Sequence, residues 1–317
     1  MCSINGWVDF LNEHPEMEKE VRAAGARLAH RGPDGNGAYF APGVGFYHNR
    51  LAVMDVARGK QPMSATFRGN DFTIVYNGEI YNSPDLRREL SHMGAVFHTD
   101  CDTETVLWSY ILWGEEAPVH LNGIFAFAVH DVTAEKVFLA RDRLGVKPLF
   151  YSTSGSSFYF ASEPGALLAH AAIRPEITVE GLWQLLFLTP VTLPGSGVFR
   201  QIEELLPGFC ATVTREGFFP RAYWKQKSAA THPKPPPPPC GSCWRMPPGG
   251  NCKVMSPWRC SSPAGWTPPR WRHWRQSICG RNRYSFPPIP LNMRETAGIS
   301  MHRFFSRKGM MPTPEGW

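Results

Sequence analysis

Met1-Cys2-Ser3-Ile4-Asn5-Gly6-Trp7-Val8-Asp9-Phe10 opens the chain. Ser3 to Phe10 reads as a strand running straight from Cys2, and a rigid strand holds a functional side chain in place. If Met1 is removed, Cys2 carries a thiol and a free α-amine on one residue. The thiolate is the nucleophilic form of cysteine. An α-amine titrates at about 7.7–8.0, so near neutral pH a minor share of it is neutral and able to accept a proton. Nucleophile and base would then share one residue. A Met-Cys start is common by itself, and it gains weight only from the motifs further along the chain.

Composition bounds the rest. The chain has 317 residues, a length that suggests two domains. It shows no apolar run long enough to span a membrane and no secretory signal, so a cytoplasmic protein without membrane partners is expected. The net charge of +6 averages two unlike parts. After Ser228 thirteen Lys and Arg face two Asp and Glu, a balance of +11; before it twenty face twenty-five, a balance of −5. Seventeen of the thirty prolines and five of the eight cysteines also follow Ser228. Cys2, Cys101 and Cys210 alone precede it, which is no disulfide framework.

Along the first part, Met17, Val21, Ala24 and Leu28 recur at helical spacing within residues 16–30. His30-Arg31-Gly32-Pro33-Asp34-Gly35-Asn36-Gly37 has the composition of a loop. Val44 to Asp55 reads as a strand with Arg50 at its centre or edge, where a guanidinium presents a planar fork to a carboxylate or joins a surface ion pair. Phe72 to Tyr76 is a strand running into Asn77-Gly78-Glu79-Ile80-Tyr81-Asn82. Asn-Gly fits a hairpin turn; it equally fits an Asn77 side chain and a Gly78 N–H aimed at a developing oxyanion. Ser83-Pro84 opens a helix with Leu86, Leu90 and Met93 on one face. Asp102-Thr103-Glu104 starts another, and Asp102 either complements that helix N-terminus or receives an ammonium group. Ile124–Asp131, Lys136–Arg141 and Phe158–Glu163 are strands, and Asp142 to Tyr151 is a turn into a further one. Many strands with few helices between them predict an antiparallel α+β layered domain.

Cys2-Ser3-Ile4, His30-Arg31-Gly32-Pro33-Asp34, Arg50-Leu51, Asn77 to Asn82, Asp102-Thr103-Glu104, Leu121 to Phe127, Arg141-Asp142-Arg143-Leu144-Gly145 and Ala161-Ser162-Glu163 together resemble the class II glutamine amidotransferases, and among them the asparagine synthetase B family. The resemblance runs from Cys2 to about Trp224. It implies an N-terminal-nucleophile (Ntn) hydrolase fold, a four-layer αββα sandwich with two antiparallel sheets. It also implies hydrolysis of L-glutamine to glutamate and ammonia. Cys2 would attack the side-chain amide with its own α-amine as base, and Asn77 and Gly78 would hold the oxyanion. Arg50 would pair with the substrate carboxylate and Asp102 with its ammonium, while Leu51, Ala52, Val53, Met54 and Glu79 complete the pocket. The sequence departs from the family at Cys101 and Asn49, positions expected to carry no chemistry. No metal or cofactor is implied for this half. In the family, ATP and Mg2+ serve a second domain that converts L-aspartate to asparagine. Other class II amidotransferases, of the glucosamine-phosphate synthase or phosphoribosyl-pyrophosphate type, are the alternative. So is an inactive remnant or binding module, which a retained Met1 would produce.

Residues 2–190 are therefore assigned to the amidotransferase domain, 191–227 to a bridge, and 228–317 to a disordered remnant. The pyrophosphate-binding loop of the family's second domain is not written in that tail. Cys240, Cys243, Cys252 and Cys260 could ligate a metal, but only one Cys pair has knuckle spacing. Trp258, Trp266, Trp271 and Trp274 interleave with arginines as in single-strand nucleic-acid binders, yet no nucleic-acid partner is expected. The preferred reading is a frameshift. With GC-rich codons read from the third base, the run from Ser262 to Trp271 can become Ser-Gly-Gly-Leu-Asp-Ser-Ser-Ala-Val, the missing loop. Gene sequence with no insertion or deletion near codons 225–240 would sink that reading. A tail rich in Pro, Gly and Arg without periodicity is expected to be disordered.

Overall fold

The computed structural model describes residues 1–52, 55, 58–188 and 192–226. Val53, Met54 and the tail from residue 227, with its cysteine and tryptophan runs, lie outside the described residues. The chain divides into Met1–His232 and Pro233–Trp317.

The first unit is built from β1 (Ser3–Val8), α1 (Met17–Arg27), β2 (Gly35–Ala41), β3 (Val44–Arg50), β4 (Met63–Phe67), β5 (Asn70–Ile80), α2 (Ser83–His92), α3 (Asp102–Trp113), α4 (Ala117–His120), β6 (Gly123–Asp131), β7 (Lys136–Arg141), β8 (Phe150–Ser154), β9 (Ser157–Ala161), α5 (Pro164–Leu167), α6 (Val179–Phe187), β10 (Glu203–Glu204), β11 (Phe209–Thr214) and β12 (Gly217–Ala222). One sheet runs β10-β8-β9-β1-β3-β2 and the other β12-β11-β7-β6-β5-β4. All the strand pairings are antiparallel.

Alternation along the strands makes the layers. Ile4 and Val8 of β1, Val44 and Phe46 of β3, and Phe158 and Phe160 of β9 face inward. They meet Val75 of β5, Ala126 and Ala128 of β6, and Val137 and Leu139 of β7 between the two sheets. The intervening residues face out. Trp7, Tyr47 and Tyr159 pack under α1 and α5 through Met17, Val21, Ala24 and Leu167. Ile74, Tyr76, Phe127 and Phe138 pack under α2 and α3 through Leu86, Leu90, Val106 and Leu107. Period-two patterning thus gives each sheet two apolar faces, and the four-layer αββα sandwich results. Gly6 leaves room for its cross-strand neighbour: a Cβ there would lie 2.5 Å from the Phe160 ring of β9. Across α6, by contrast, Val179, Leu186 and Phe187 are exposed.

Several local expectations change. Gly35-Asn36-Gly37 is the start of β2, not part of a loop, because it pairs with Arg50, Asn49 and His48 of β3. Pairing overrides the poor strand propensity of Gly and Asn. Asn77-Gly78 makes no hairpin; β5 runs straight through, with Asn77 opposite Ala126 and Gly78 opposite Phe125. The cap of α2 is Asn82 rather than Ser83, and the Ser83 hydroxyl bonds Thr105 instead. Strands β2, β4, β11 and β12 have no clear local signal in the sequence. The last two lie in the stretch assigned to the bridge, and β11 pairs with β7 to extend the second sheet. No helix among the described residues is long and apolar enough to cross a membrane.

Two histidines are sealed in this sandwich. His48 is fully buried and its ring nitrogens bond no described residue. Burial, reinforced by the Arg50 charge, pushes it down to about 3; burial pushes His130 down to about 4. An unfolded imidazole titrates near 6.5. Between these values the unfolded chain takes up protons that the folded chain refuses, so acid favours unfolding. Stability is expected to be whole above pH 6.5 and to fall by up to roughly 1.4 kcal/mol per pH unit for each histidine below it. Denaturant titrations from pH 7 to pH 4.5 test this. The slope should flatten in a His48→Asn/His130→Asn double variant, and an unchanged slope would refute the assignment.

Candidate active site

Cys2 sits at the free end of β1, the strand enclosed by β3 and β9. Its Sγ accepts from the Leu51 N–H at 3.3 Å and lies 3.5 Å from the Leu51 carbonyl. The motifs read from the sequence brace it. Arg31 Nε donates to the Cys2 carbonyl at 3.3 Å, and the same guanidinium pairs with Glu163 at 2.7 Å. Ser162 exchanges two hydrogen bonds with Ile4, donating its N–H to the Ile4 carbonyl at 2.9 Å and accepting the Ile4 N–H on Oγ at 3.0 Å. Asn49, expected to carry no chemistry, donates to Ser3 Oγ and to the Gly25 carbonyl, tying β1 to α1.

A cavity of about 220 Å³ opens at this end of the sandwich. Cys2, Arg50, Leu51, Asn77, Gly78, Glu79 and Asp102 all line it. Ala52 does not; its N–H donates to Asp34 at 2.8 Å. Lining residues to which the sequence assigns no role at the site include Gly59, Gln61, Tyr76, Thr103 and Lys147, and Cys101 joins them although its position is expected to carry no chemistry. Gln61 and Lys147 stand next to prolines at chain reversals, the one local signal for them.

The cavity carries charges of both signs. Arg50 donates to the Asp55 carbonyl at 2.8 Å. Asp102 Oδ2 accepts from the Tyr76 hydroxyl at 2.7 Å and from the Ile80 N–H at 3.1 Å. Burial raises the Asp102 carboxyl above its usual range, against the pull of those donors. Burial, with the Asp102 charge beside it, also holds the Tyr76 phenol well above its usual value. Asp102 is the first residue of α3, and its carboxylate is shared between the core donors Tyr76 and Ile80 and the N–H groups of that first turn. Glu79 stands at the rim, exposed to solvent.

Asn77 is 1% exposed, and its Nδ2 donates to no described residue. A buried amide N–H without a partner is costly, and here it belongs to a residue lining the cavity that holds Cys2 Sγ. Gly78 beside it is sterically required. A Cβ would stand 2.5 Å from the Ile124 carbonyl oxygen and 2.8 Å from the Phe125 Cα. Gly78→Ala is expected to push β5 off β6 and lower stability by about 1–3 kcal/mol. Urea unfolding measures it, and a variant as stable as the parent would contradict this packing.

Two antiparallel sheets between helical layers, with a cysteine at the end of a central strand, define the class II, N-terminal-nucleophile amidotransferase architecture. The chain belongs to the glutamine amidotransferase domain family, whose sequence pattern matches residues 1–224. It is 45% identical over 228 residues to the glutamine-hydrolysing asparagine synthetase 3 of Bacillus subtilis, covering 72% of this chain and 37% of that one. It is 36% identical over 170 residues to asparagine synthetase B of Escherichia coli, covering 53% and 30%. The chain thus spans about a third of the length of these relatives. A solved structure described as the allosteric regulatory enzyme of purine biosynthesis shares the fold, with a TM-score of 0.54 at 18% identity over 71% of this chain and 50% of that one.

Proposed function

We propose that the chain hydrolyses L-glutamine to glutamate and ammonia, with Cys2 as the nucleophile. One observation carries this reading above the others: the unpartnered amide of Asn77 lines the same cavity as the Cys2 thiol. With Met1 removed, the α-amine takes the thiol proton as Sγ attacks the side-chain amide carbon. The oxyanion that forms is held by Asn77 Nδ2 and the Gly78 N–H. The proton passes to the leaving nitrogen, ammonia departs and a thioester remains. Water, deprotonated by the same amine, attacks the thioester, and glutamate and the free thiol are restored. Arg50 matches the substrate carboxylate. Asp102 matches its ammonium, which also offsets the cost of burying that carboxylate. Val53 and Met54 remain part of the proposed pocket wall. The hydrolysis consumes only glutamine and water and calls for no metal or cofactor.

The relatives' names point to a further use for the ammonia, the amidation of aspartate. We assign that ATP- and Mg2+-dependent step to the remainder of such a protein, so L-aspartate and ATP become substrates only when a synthetase domain is supplied. The exposed apolar residues of α6 suit an element that a second domain would cover. Ammonia release from glutamine by the full chain, with and without ATP and aspartate, tests both statements. Release without asparagine supports them. Asparagine formation by this chain alone would overturn the division of labour, and no release from Met1-free protein would overturn the glutaminase.

A further inference from the structure

The turn between β7 and β8 is held far more firmly than a surface connection requires. Asp142 collects four backbone N–H groups on one carboxylate. Leu144 and Val146 donate to Oδ1 at 3.1 and 3.0 Å, and Lys147 and Phe125 to Oδ2 at 2.9 and 3.2 Å. Arg141 closes the turn from the other side, donating to the carbonyls of Lys147, Gly145 and Leu205 and pairing with Glu204. Gly145 adopts a φ of +66° within it, and a Cβ there would stand 2.7 Å from Pro207. What these bonds deliver to the cavity is one side chain. Lys147 is 8% exposed, lines the cavity with Cys2, and its Nζ lies 3.5 Å from Met1 Sδ. The ammonium therefore lies against the side chain of the residue that precedes Cys2, in the cavity that Cys2 itself lines.

We propose that Lys147 is a positioning residue for the N-terminal base: its fixed positive charge disfavours the ammonium form of the Cys2 α-amine and keeps that amine ready to accept the thiol proton. The inference rests on the glutaminase reading. A free α-amine titrates at about 7.7–8.0 and would be largely protonated, and so useless as a base, just below neutrality. A like charge nearby lowers that value. The other groups facing the cavity act on the same amine. Arg50, and Arg31 on the Cys2 carbonyl, add to the effect; Glu79, Asp102 and the Glu163 paired with Arg31 oppose it, and the Tyr76 phenol, raised by burial, stays neutral at pH 7. Replacing Lys147 alone isolates its share. The lysine exchanges no proton in the reaction.

The experiment uses full-length, Met1-free protein verified by intact mass, as wild type, Lys147→Met, Lys147→Gln and Lys147→Arg. The pH dependence of α-amine acetylation by acetic anhydride, read by peptide mass spectrometry, titrates the amine without reference to activity. The midpoint is expected to rise by about one pH unit in the Met and Gln variants, the size of a like-charge interaction across a partly hydrated pocket, and to stay at the wild-type value in Lys147→Arg. The acid limb of kcat/KM for glutamine should move with it. Coincident midpoints in wild type and whichever neutral variant folds, or an Arg variant that behaves as the neutral ones, would overturn the proposal. A midpoint difference in protein that releases no ammonia at any pH would overturn the glutaminase reading alone.

Discussion

Replacing Cys2 by Ala is expected to lower glutamine-dependent ammonia release by at least about 10³-fold, the scale on which enzymes lose covalent catalysis when the nucleophile is removed. The cavity would keep its charged groups, so glutamine should still bind. The fold should survive because the register of β1 runs from Ser3 to Val8, outside the substituted side chain. The hydrogen bond that Sγ accepts comes from the Leu51 N–H, a thiol contact worth little. A Met1-retaining form should fail to the same degree for a different reason: its first amine belongs to Met1, displaced from the thiol by a whole residue. Ammonia production within tenfold of wild type in either form would place the chemistry elsewhere in the molecule.

Asn77→Ala is expected to reduce kcat by about 10²–10³-fold with little change in KM, the signature of a donor that engages only the developing oxyanion. Its stability consequence is the telling part. Most buried asparagines are held by internal hydrogen bonds, and losing them destabilises. The Nδ2 of Asn77 bonds no described residue, so its removal should leave the melting temperature nearly unchanged while the rate collapses. Asn77→Asp should be at least as slow, since it sets a carboxylate where negative charge must grow. A variant that loses stability and rate together, or KM and not kcat, would make Asn77 a structural or ground-state binding residue.

Strands β1, β6 and β7 are readable in the sequence because they bury both faces and are studded with apolar residues such as Ile4, Trp7 and Val8, Phe125 and Phe127, Val137 and Phe138. Strand β2 is hidden, because its Gly35-Asn36-Gly37 start is written in turn residues and becomes strand only through its partner β3. Strands β11 and β12 are hidden as well; they come after a stretch with few local signals and find their place by pairing with β7. At the site, Cys2, Arg50, Asn77 and Asp102, the residues given a proposed chemical task, are legible by type and order. Lys147, Gln61, Tyr76 and Gly59 are not, since little local marks them and only closure of the two sheets brings them to Cys2. The Asn-Gly pair shows the limit most directly. Its composition suits a reversal, and the long β5–β6 pairing keeps it straight.

The enclosure of β1 has a consequence for how the molecule fails. A chain terminus is ordinarily the first part of a protein to fray. Here Cys2, the proposed nucleophile, leads into a strand hydrogen-bonded along both edges and sealed by one apolar layer on each face. Pulling that strand out means breaking the first sheet through its middle. Amide protons along Asn5–Val8 are therefore expected to exchange only through global unfolding, with heat removing the order around Cys2 and the tertiary structure in a single step.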